Sequence, residues 1–438
     1  LKPDSCYDSL FLAADSRNKA DWILGINASY AMCKATGLGN NSLGRVQTPI
    51  LAAISRRYCE RENHISSDSW PIYISLQKDG ILFKMRRTQD LPDKESATMF
   101  FQDCKLSHQA QITGISHSVK EILPPDLLDL TQLQKEANIR YGYTASEVYD
   151  IAQSLYEKKL ISYPRTSSRY LTEDVFDSLS PIMARLLSWE LFPAAKGTGG
   201  IDISSLSRHV INAEKANVHH AIIITGIRPG NMSEKEMQVY RLVAGRMLEV
   251  FMAPCRIETT NVEAVCAAQH FKAEQTRIIE AGWHDVFMHS DMIPASGYSV
   301  KELPEVEKGD TLNVCGCNLI QKKQLPVNPF TDAELVEYME LNGLGTVSSR
   351  TNIIRTLVNR KYIRYSGKYI VPTPKGMFTY ETIRGKKIAD TSLTADWEKQ
   401  LAGLESGMIT GQDFLNRIRN LAKEMTDDIF NTYSTKEE

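Results

Sequence analysis

The order in which periodicity changes along this 438-residue chain constrains its fold more than any other feature. Ala20, Ile23, Leu24, Asn27 and Ala31 recur at helical spacing, and a second helix follows over 49–58. From about 69 to 122 the period falls to two. Trp70-Pro-Ile-Tyr-Ile-Ser-Leu76 alternates, Lys78-Asp79-Gly80 marks a turn, and Ile81 begins a return strand. Residues 131–257 read helical again, 258–320 return to strand-like alternation, and from 331 onward the pattern is helical, closing in an acidic tail. A sheet interrupted by a helical block, itself flanked by helical blocks, points to nesting. A unit begun early is completed late, and the middle is an insertion within an insertion. The expected class is mixed, mainly α with a β-rich domain.

A weak internal repeat lies within the helical blocks. In the first copy 133–139 precede Gly142, Thr144-Ala-Ser-Glu147 forms a capping box, a helix runs through Val148, Ile151, Ala152 and Leu155, and Lys158-Lys-Leu-Ile-Ser-Tyr163 closes it. In the second, 333–339 precede Gly343 and Gly345, Ser348 or Ser349 is the expected N-cap, a helix runs through Ile353, Ile354, Leu357 and Val358, and Arg360-Lys-Tyr-Ile-Arg-Tyr365 closes it. Helix, glycine turn, helix and basic edge strand make a helix-turn-helix with a wing, a unit that serves equally as scaffold or as DNA-binding module.

The formal charge of -2 does not by itself mark a nucleic-acid binder, but its distribution is uneven. Three windows hold basic residues and no Asp or Glu: Lys34, Arg45, Arg56 and Arg57; then Lys158, Lys159, Arg165 and Arg169; then Arg350, Arg355, Arg360, Lys361, Arg364, Lys368 and Lys375. Each alone reads as a solvated face; together they can converge on a polyanion. The 8 cysteines are scattered as reduced structural thiols are, and Cys315-Gly-Cys317 lacks the second pair that a zinc site needs, so no metal ligands are expected. No apolar run reaches the ~18 residues needed to span a bilayer and no signal-peptide pattern is present, which predicts a cytoplasmic protein. The start at Leu1-Lys2-Pro3 is that expected of a piece of a longer protein.

Ile161-Ser-Tyr163-Pro-Arg165-Thr-Ser-Ser168 carries the most chemistry. Pro164 biases Tyr163 away from helical geometry and helps present its ring. A phenol, with a pKa of about 10, is a poor nucleophile unless the phenolate and the phosphate it attacks are stabilised. Arg165 can do both by charge-assisted hydrogen bonds. The octapeptide alone fits a packed tyrosine beside a surface arginine equally well.

With three further segments, the chain resembles the type IA DNA topoisomerases. Tyr163-Pro-Arg165-Thr-x-Ser168 is similar to their active-site signature. Ser42-Leu-Gly44-Arg45-Val-Gln47-Thr-Pro49, Val218-His219-His220-Ala-Ile-Ile-Ile-Thr225 and Gly343-Leu-Gly345-Thr-Val-Ser348-Ser349-Arg350 follow in the family's order. Arg17-x-x-Ala-Asp21-Trp-x-x-Gly-Ile-Asn27 is similar to the family helix before the Gly-Arg-Val-Gln turn. The paired histidines and the Asp-Trp-x-x-Gly-Ile-Asn wording lean toward topoisomerase III.

The resemblance implies a toroidal core with winged-helix-like units. Helical domain IV would comprise 1–60 and 321–438, strand-rich domain II 61–128 and 258–320, and helical domain III 129–257. It implies that Tyr163 forms a 5′-phosphotyrosine, that Arg165 and His219 act on the same phosphate with His220 secondary, and that Arg17, Asp21, Arg45, Gln47, Ser349, Arg350 and Arg169 contact DNA. Single-stranded DNA is the expected partner and a monomer the expected state. The family's TOPRIM domain, with its Mg²⁺ carboxylates, has no counterpart in the sequence, so relaxation by this chain alone is not expected. Ser167 stands where the family usually has Asp, Val347 where Pro is frequent, and Ile224 where topoisomerase III usually has Pro. No Walker-type Gly-x-x-x-x-Gly-Lys-Ser/Thr occurs, so ATP is not expected. A non-catalytic single-strand-binding module is the alternative; a relaxase would want a third clustered histidine, and a tyrosine recombinase would want His-x-x-Arg partners.

Overall fold

The computed structural model describes residues 3, 7–37, 39, 41–189, 191–192, 201, 206–216, 218–287 and 296–434. The acidic tail read from the sequence lies partly outside them. Helices α1 (Asp8–Thr36) and α2 (Gln47–Glu62) lead into β1 (Asp68–Ser69), β2 (Ile72–Lys78) and β3 (Ile81–Arg87), then α3 (Lys94–Leu106) and β4 (Gln109–Ile122). Five helices follow: α4 (Leu130–Tyr141), α5 (Ala145–Glu157), α6 (Glu173–Asp177), α7 (Leu179–Ser188) and α8 (Glu234–Glu249). Strands β5 (Cys255–Cys266), β6 (Gln269–Glu280), β7 (Thr311–Leu319) and β8 (Lys322–Lys323) come next. The chain ends with α9 (Asp332–Leu341), α10 (Val347–Asn359), β9 (Ile363–Ser366), β10 (Tyr369–Pro372), α11 (Pro374–Ile383), α12 (Ser392–Glu405) and α13 (Gly411–Ser434).

The two strand-rich stretches close on each other. A barrel runs β2-β3-β6-β5-β4-β7, with each of its pairs antiparallel. Its longest ladder joins the halves, from Gln111 opposite Val265 to Ile122 opposite Cys255. Ile72, Ile74, Leu76, Phe83, Val262 and Phe271 fill the interior. Helix α3 breaks the expected run of strands. Asp93 accepts from the Ser96 amide at 2.7 Å and caps it, and Ala97 and Cys104, about two turns apart on one face, are buried. The short apolar clusters of that segment fit either period, and the cap decides it.

The first and last helical stretches share a core in which α1 packs on α12 and α13 around Trp397 and Phe414. The middle stretch has its own core around Leu133, Val148, Ile161, Ile224 and Tyr240.

The internal repeat holds at backbone level. Helices α5 and α10 both end with a lysine in left-handed conformation, Lys159 at φ 60 and Lys361 at φ 61. In both, the next amide reaches back five residues, Leu160 to the Leu155 carbonyl and Tyr362 to the Leu357 carbonyl, each at 2.9 Å. The expected cap of α5 is present, with Thr144 and Glu147 bonded reciprocally. On α10 the cap is Thr346 paired with Ser349, correcting the choice of Ser348 or Ser349: serine competes for the cap, but Gly345 at φ 74 sets the entry one residue earlier. The wings differ. The second copy has the β9–β10 hairpin. The first has a single bridge from Ile161 to Ile224, because Pro164 has no amide with which to continue a ladder.

The two copies pack against each other through polar contacts, some buried and some at the surface. Gln134 donates to the Ala145 carbonyl and to Thr351 Oγ1, both at 2.9 Å. Lys135 pairs with Glu337 at 2.6 Å and Arg355 with Asp150 at 2.8 Å. Asp332 accepts from the Ala145 amide at 3.3 Å and from Tyr365 Oη at 3.1 Å. Burial pushes the Asp332 carboxyl up to about 6 from 3.8, a penalty of roughly 3 kcal/mol on the charged form. Because the folded-state pKa is raised, this group favours folding most below its unfolded pKa and loses that contribution as pH rises through about 6. Asp332→Asn is therefore expected to flatten the stability difference between about pH 4 and about pH 7, measured by urea unfolding. An unchanged pH profile would contradict the buried carboxyl.

Candidate active site and nucleic-acid cavity

Tyr163 is placed by the segment just before it. After the left-handed turn at Lys159, the buried Leu160 and Ile161 lie against residues 221–224. Ser162 donates its amide to the Ile223 carbonyl at 2.8 Å, and its hydroxyl bridges the Ala221 carbonyl at 3.1 Å and the Ile223 amide at 3.0 Å. The tyrosine is thereby held beside the paired histidines, with its ring 4.6 Å from that of His219 and 5.3 Å from that of Tyr156. Thr166 Oγ1 donates to the His219 carbonyl at 3.1 Å, tying the far side of the loop to the same segment.

Arg165 lines a recess of about 310 Å³ with Thr166, Ser167, Ser168, Lys215, Val218, His219 and residues 346–348 at the start of α10. Its guanidinium donates to Gln153 at 3.2 Å and lies 5.1 Å from the Tyr149 ring, while its Nε is buried without a partner. His219, Arg165 and the tyrosine loop converge as expected. His220 instead sets its Nδ1 2.7 Å from the Ala221 carbonyl oxygen.

A second, larger cavity of about 850 Å³ adjoins the recess, and the two share Thr346. Arg17, Asp21, Arg45, Gln47 and Ser349 all line it, so three distant segments meet there. Sequence reasoning missed Glu398 on its wall; Arg360, from the third basic window, and Trp22, from the Arg17–Asn27 motif, line it too. Glu398 comes from α12, outside every motif window, and only the α1–α12 packing brings it in. It takes Arg17 bidentately at 3.0 and 2.6 Å and Arg45 at 2.9 Å, while Asp21 holds the Arg45 Nε at 2.6 Å. Trp22 and Tyr30 stand 67% and 60% exposed on the same helix, α1.

Several expectations need correction. Arg45 is buried, with its donors committed to Asp21 and Glu398, so it shapes the cavity as half of an ion-pair network and is not a free cation. Arg350 is buried away from the cavity, donating to Thr131 at 3.1 Å and facing Glu340 at 3.5 Å; it clamps α10 to α4. Arg169 pairs with Asp129 at 2.8 Å, the residue that caps α4, and fastens the tyrosine loop there. Two tyrosines beside the third basic window are likewise held by the fold: Tyr362 is buried with its hydroxyl on the Ser42 carbonyl, and Tyr365 is bonded to Asp332. Tyrosine and arginine at helix ends serve packing as readily as ligands, and only burial separates the two uses.

A family model described as DNA topoisomerase matches residues 5–416. The chain belongs to the DNA topoisomerase family. It is 31% identical to DNA topoisomerase 3 of Bacillus licheniformis, the match covering 98% of this chain and 62% of the relative. It is 31% identical to DNA topoisomerase 3 of Shouchella clausii over 98% of this chain and 61% of that protein, and 30% identical to that of Bacillus subtilis over 99% and 63%. The chain thus spans about three fifths of the length of these curated relatives. Full-length topoisomerase I from Thermotoga maritima shares the fold, with a TM-score of 0.72 at 23% identity, covering 96% of this chain and 68% of that one. Together these place the chain in the type IA topoisomerase family, similar to DNA topoisomerase 3, with the toroidal fold class of that group.

For this topoisomerase the corrected role of Arg350 has a direct test. Arg350→Met is expected to lower stability by roughly 1–3 kcal/mol, by stranding the Thr131 and Glu340 partners. The salt dependence of single-stranded DNA binding should stay unchanged, checked by urea unfolding and by fluorescence anisotropy across salt. Unchanged stability with a weaker salt dependence would return Arg350 to the DNA interface.

Proposed function

We propose that this chain is the strand-cleaving body of a type IA topoisomerase, working as a cytoplasmic monomer on single-stranded DNA with Tyr163 as nucleophile. The observation that carries the reading is a juxtaposition. The Tyr163 ring lies 4.6 Å from His219, while His219 and Arg165 line a recess that shares Thr346 with the large cavity. A strand lying in the cavity would bring a phosphate past the start of α10, where helix amides and dipole favour an anion, to the tyrosine.

In the step proposed, Tyr163 Oη attacks the phosphorus. The phenol gives up its proton to solvent as the bond from Oη to phosphorus forms, the bond to the 3′-oxygen breaks, the 5′ end stays on the protein, and the 3′-oxygen takes up a proton from solvent. Arg165 braces the phosphate as charge develops, and His219 contacts it from the other side. Resealing is the reverse attack, so no nucleotide need be consumed.

The resemblance also implies Mg²⁺. Among the described residues no grouping of three or more His, Cys, Asp or Glu side chains could hold a metal ion, so the donors present do not fit it. No step is assigned to the metal. Nor does the recess beside Tyr163 offer a carboxyl group to protonate the leaving oxygen.

Tyr163→Phe is expected to abolish any covalent adduct with a single-stranded oligonucleotide and to change affinity by less than about 0.5 kcal/mol, since one hydroxyl is lost and the ring is kept. Denaturing gels and anisotropy on the same samples check this, and an adduct persisting in the Phe variant would sink the assignment. Lack of a general acid alone costs about 10²–10⁴-fold. The 438 residues by themselves are thus expected to bind DNA without measurable relaxation, and a TOPRIM domain supplied in trans to restore it. A supercoiled-plasmid gel with and without that domain decides, and robust relaxation by the chain alone would show that it holds the missing groups.

A further inference from the structure

Strand β3 pairs along one edge only until Arg86. The turn from β2, with Asp79 at φ 49 and Gly80 at φ 80, is the two-residue type that makes Lys78 and Ile81 a hydrogen-bonded pair. Antiparallel alternation then turns the backbone groups of Ile81, Phe83 and Met85 toward β2, and those of Leu82, Lys84 and Arg86 away from it. Arg86 meets Lys272 of β6 there, and the Thr88 amide reaches the His270 carbonyl at 3.0 Å. Beyond Lys272, β6 has another neighbour. The Glu274 amide donates to the Tyr298 carbonyl and the Val300 amide to the Glu274 carbonyl, both at 2.9 Å. Among the described residues, therefore, no strand pairs with the edge that Leu82 and Lys84 present.

That edge faces a slot of about 520 Å³, lined by Leu82, Phe83, Lys84 and Arg86 from β3, Tyr73 from β2, and residues 297–302 opposite. The slot has a fixed end and open walls. Arg86 is bound to Asp90 at 2.5 Å with its guanidinium 5.5 Å from the Tyr298 ring, and a Cβ at Gly297 would collide with its Nη1. Leu82, by contrast, is 59% exposed, and Lys84 and Lys301 are exposed with no ion pair among the described residues. With Arg86 matched by Asp90, the lining holds these two lysines against the single carboxylate of Glu302.

We propose that this slot takes an extended acidic segment of a partner protein, which adds to β3 as a further strand. Unpaired N–H and C=O groups at strand spacing are what another backbone recognises. Side chains of the added strand would alternate. One set would lie outward beside Lys84 and Lys301, where carboxylates are favoured, and the other would face Phe83 and Val300, where apolar groups are. A second copy of β3 is disfavoured as the occupant, since it would bring two Lys84 ammonium groups onto one short ladder. The proposal is independent of the DNA path.

The test uses the whole 438-residue chain and a fluorescein-labelled peptide of about eight residues, alternating Glu and Val, followed by anisotropy. Saturable binding is expected below about 1 mM, weakened at least about tenfold when Lys replaces Glu and lost when the peptide backbone is N-methylated. Leu82→Pro removes one donor that points away from β2, leaves the β2–β3 ladder its bonds, and should weaken binding about tenfold. Lys84→Glu should do the same with an unchanged thermal midpoint, and it decides alone if the proline variant does not fold. No saturable binding below about 1 mM, or binding indifferent to charge or to N-methylation, overturns the proposal. So does displacement of the peptide by an oligothymidylate, which would make the slot a nucleic-acid site. A dimer in sedimentation that Leu82→Pro dissolves would make the occupant a second copy and overturn it too.

Discussion

The packing of one helix-turn-helix copy on the other holds the functional parts together. The first copy leads directly into Tyr163, and the second supplies the start of α10, which touches both the tyrosine recess and the large cavity. Between them lies a set of buried polar pins: Gln134 on Thr351, Arg350 on Thr131, and Asp332 on the Ala145 amide. Such contacts are directional, so they define one alignment of the two copies. They also make the joint weaker than an apolar core of the same area, since each buried polar group repays only part of its desolvation. Asp332, carrying a carboxyl displaced toward neutrality, shows that cost directly.

The cavity wall sorts its cations into two kinds. Arg17 and Arg45 are locked to Asp21 and Glu398, with the Arg45 guanidinium 5.0 Å from the Trp397 ring. They stiffen the floor, and an incoming phosphate would have to compete with carboxylates for them. Arg165, Lys215 and Arg360 line spaces that hold no carboxylate beyond those two. The net charge of -2 hides this division, because the field at a groove depends on which charges are already paired.

Much of the architecture was legible in the chain itself. The change of period at about 69, 131, 258 and 331 anticipated a strand-rich unit assembled from two separated stretches, which the structure closes into a barrel, and the capping box at Thr144 and Glu147 was readable letter by letter. Helix α3 was not, since its short apolar clusters fit either period until Asp93 capped it. At the site, the convergence of Tyr163, Arg165 and His219 followed from their motifs. The reassignment of Arg45, Arg169 and Arg350 to structural ion pairs did not, because an arginine in a motif window looks the same whether it meets a phosphate or a carboxylate. Glu398, 353 positions from Arg45, left no local trace at all.

What the sequence determined by itself is therefore local and covalent: helix and strand periods, caps, the proline that follows Tyr163, and the order of motifs that marks the family. What the tertiary structure decided is which charges remain available. Pairing depends on side chains brought together from α1, the Gly44–Gln47 turn and α12, and no spacing rule links those segments. A hydrogen bond acts over about 3 Å, while the residues it joins can be hundreds of positions apart, so only the folded chain shows which cations are spent on its own carboxylates and which stay open to a ligand.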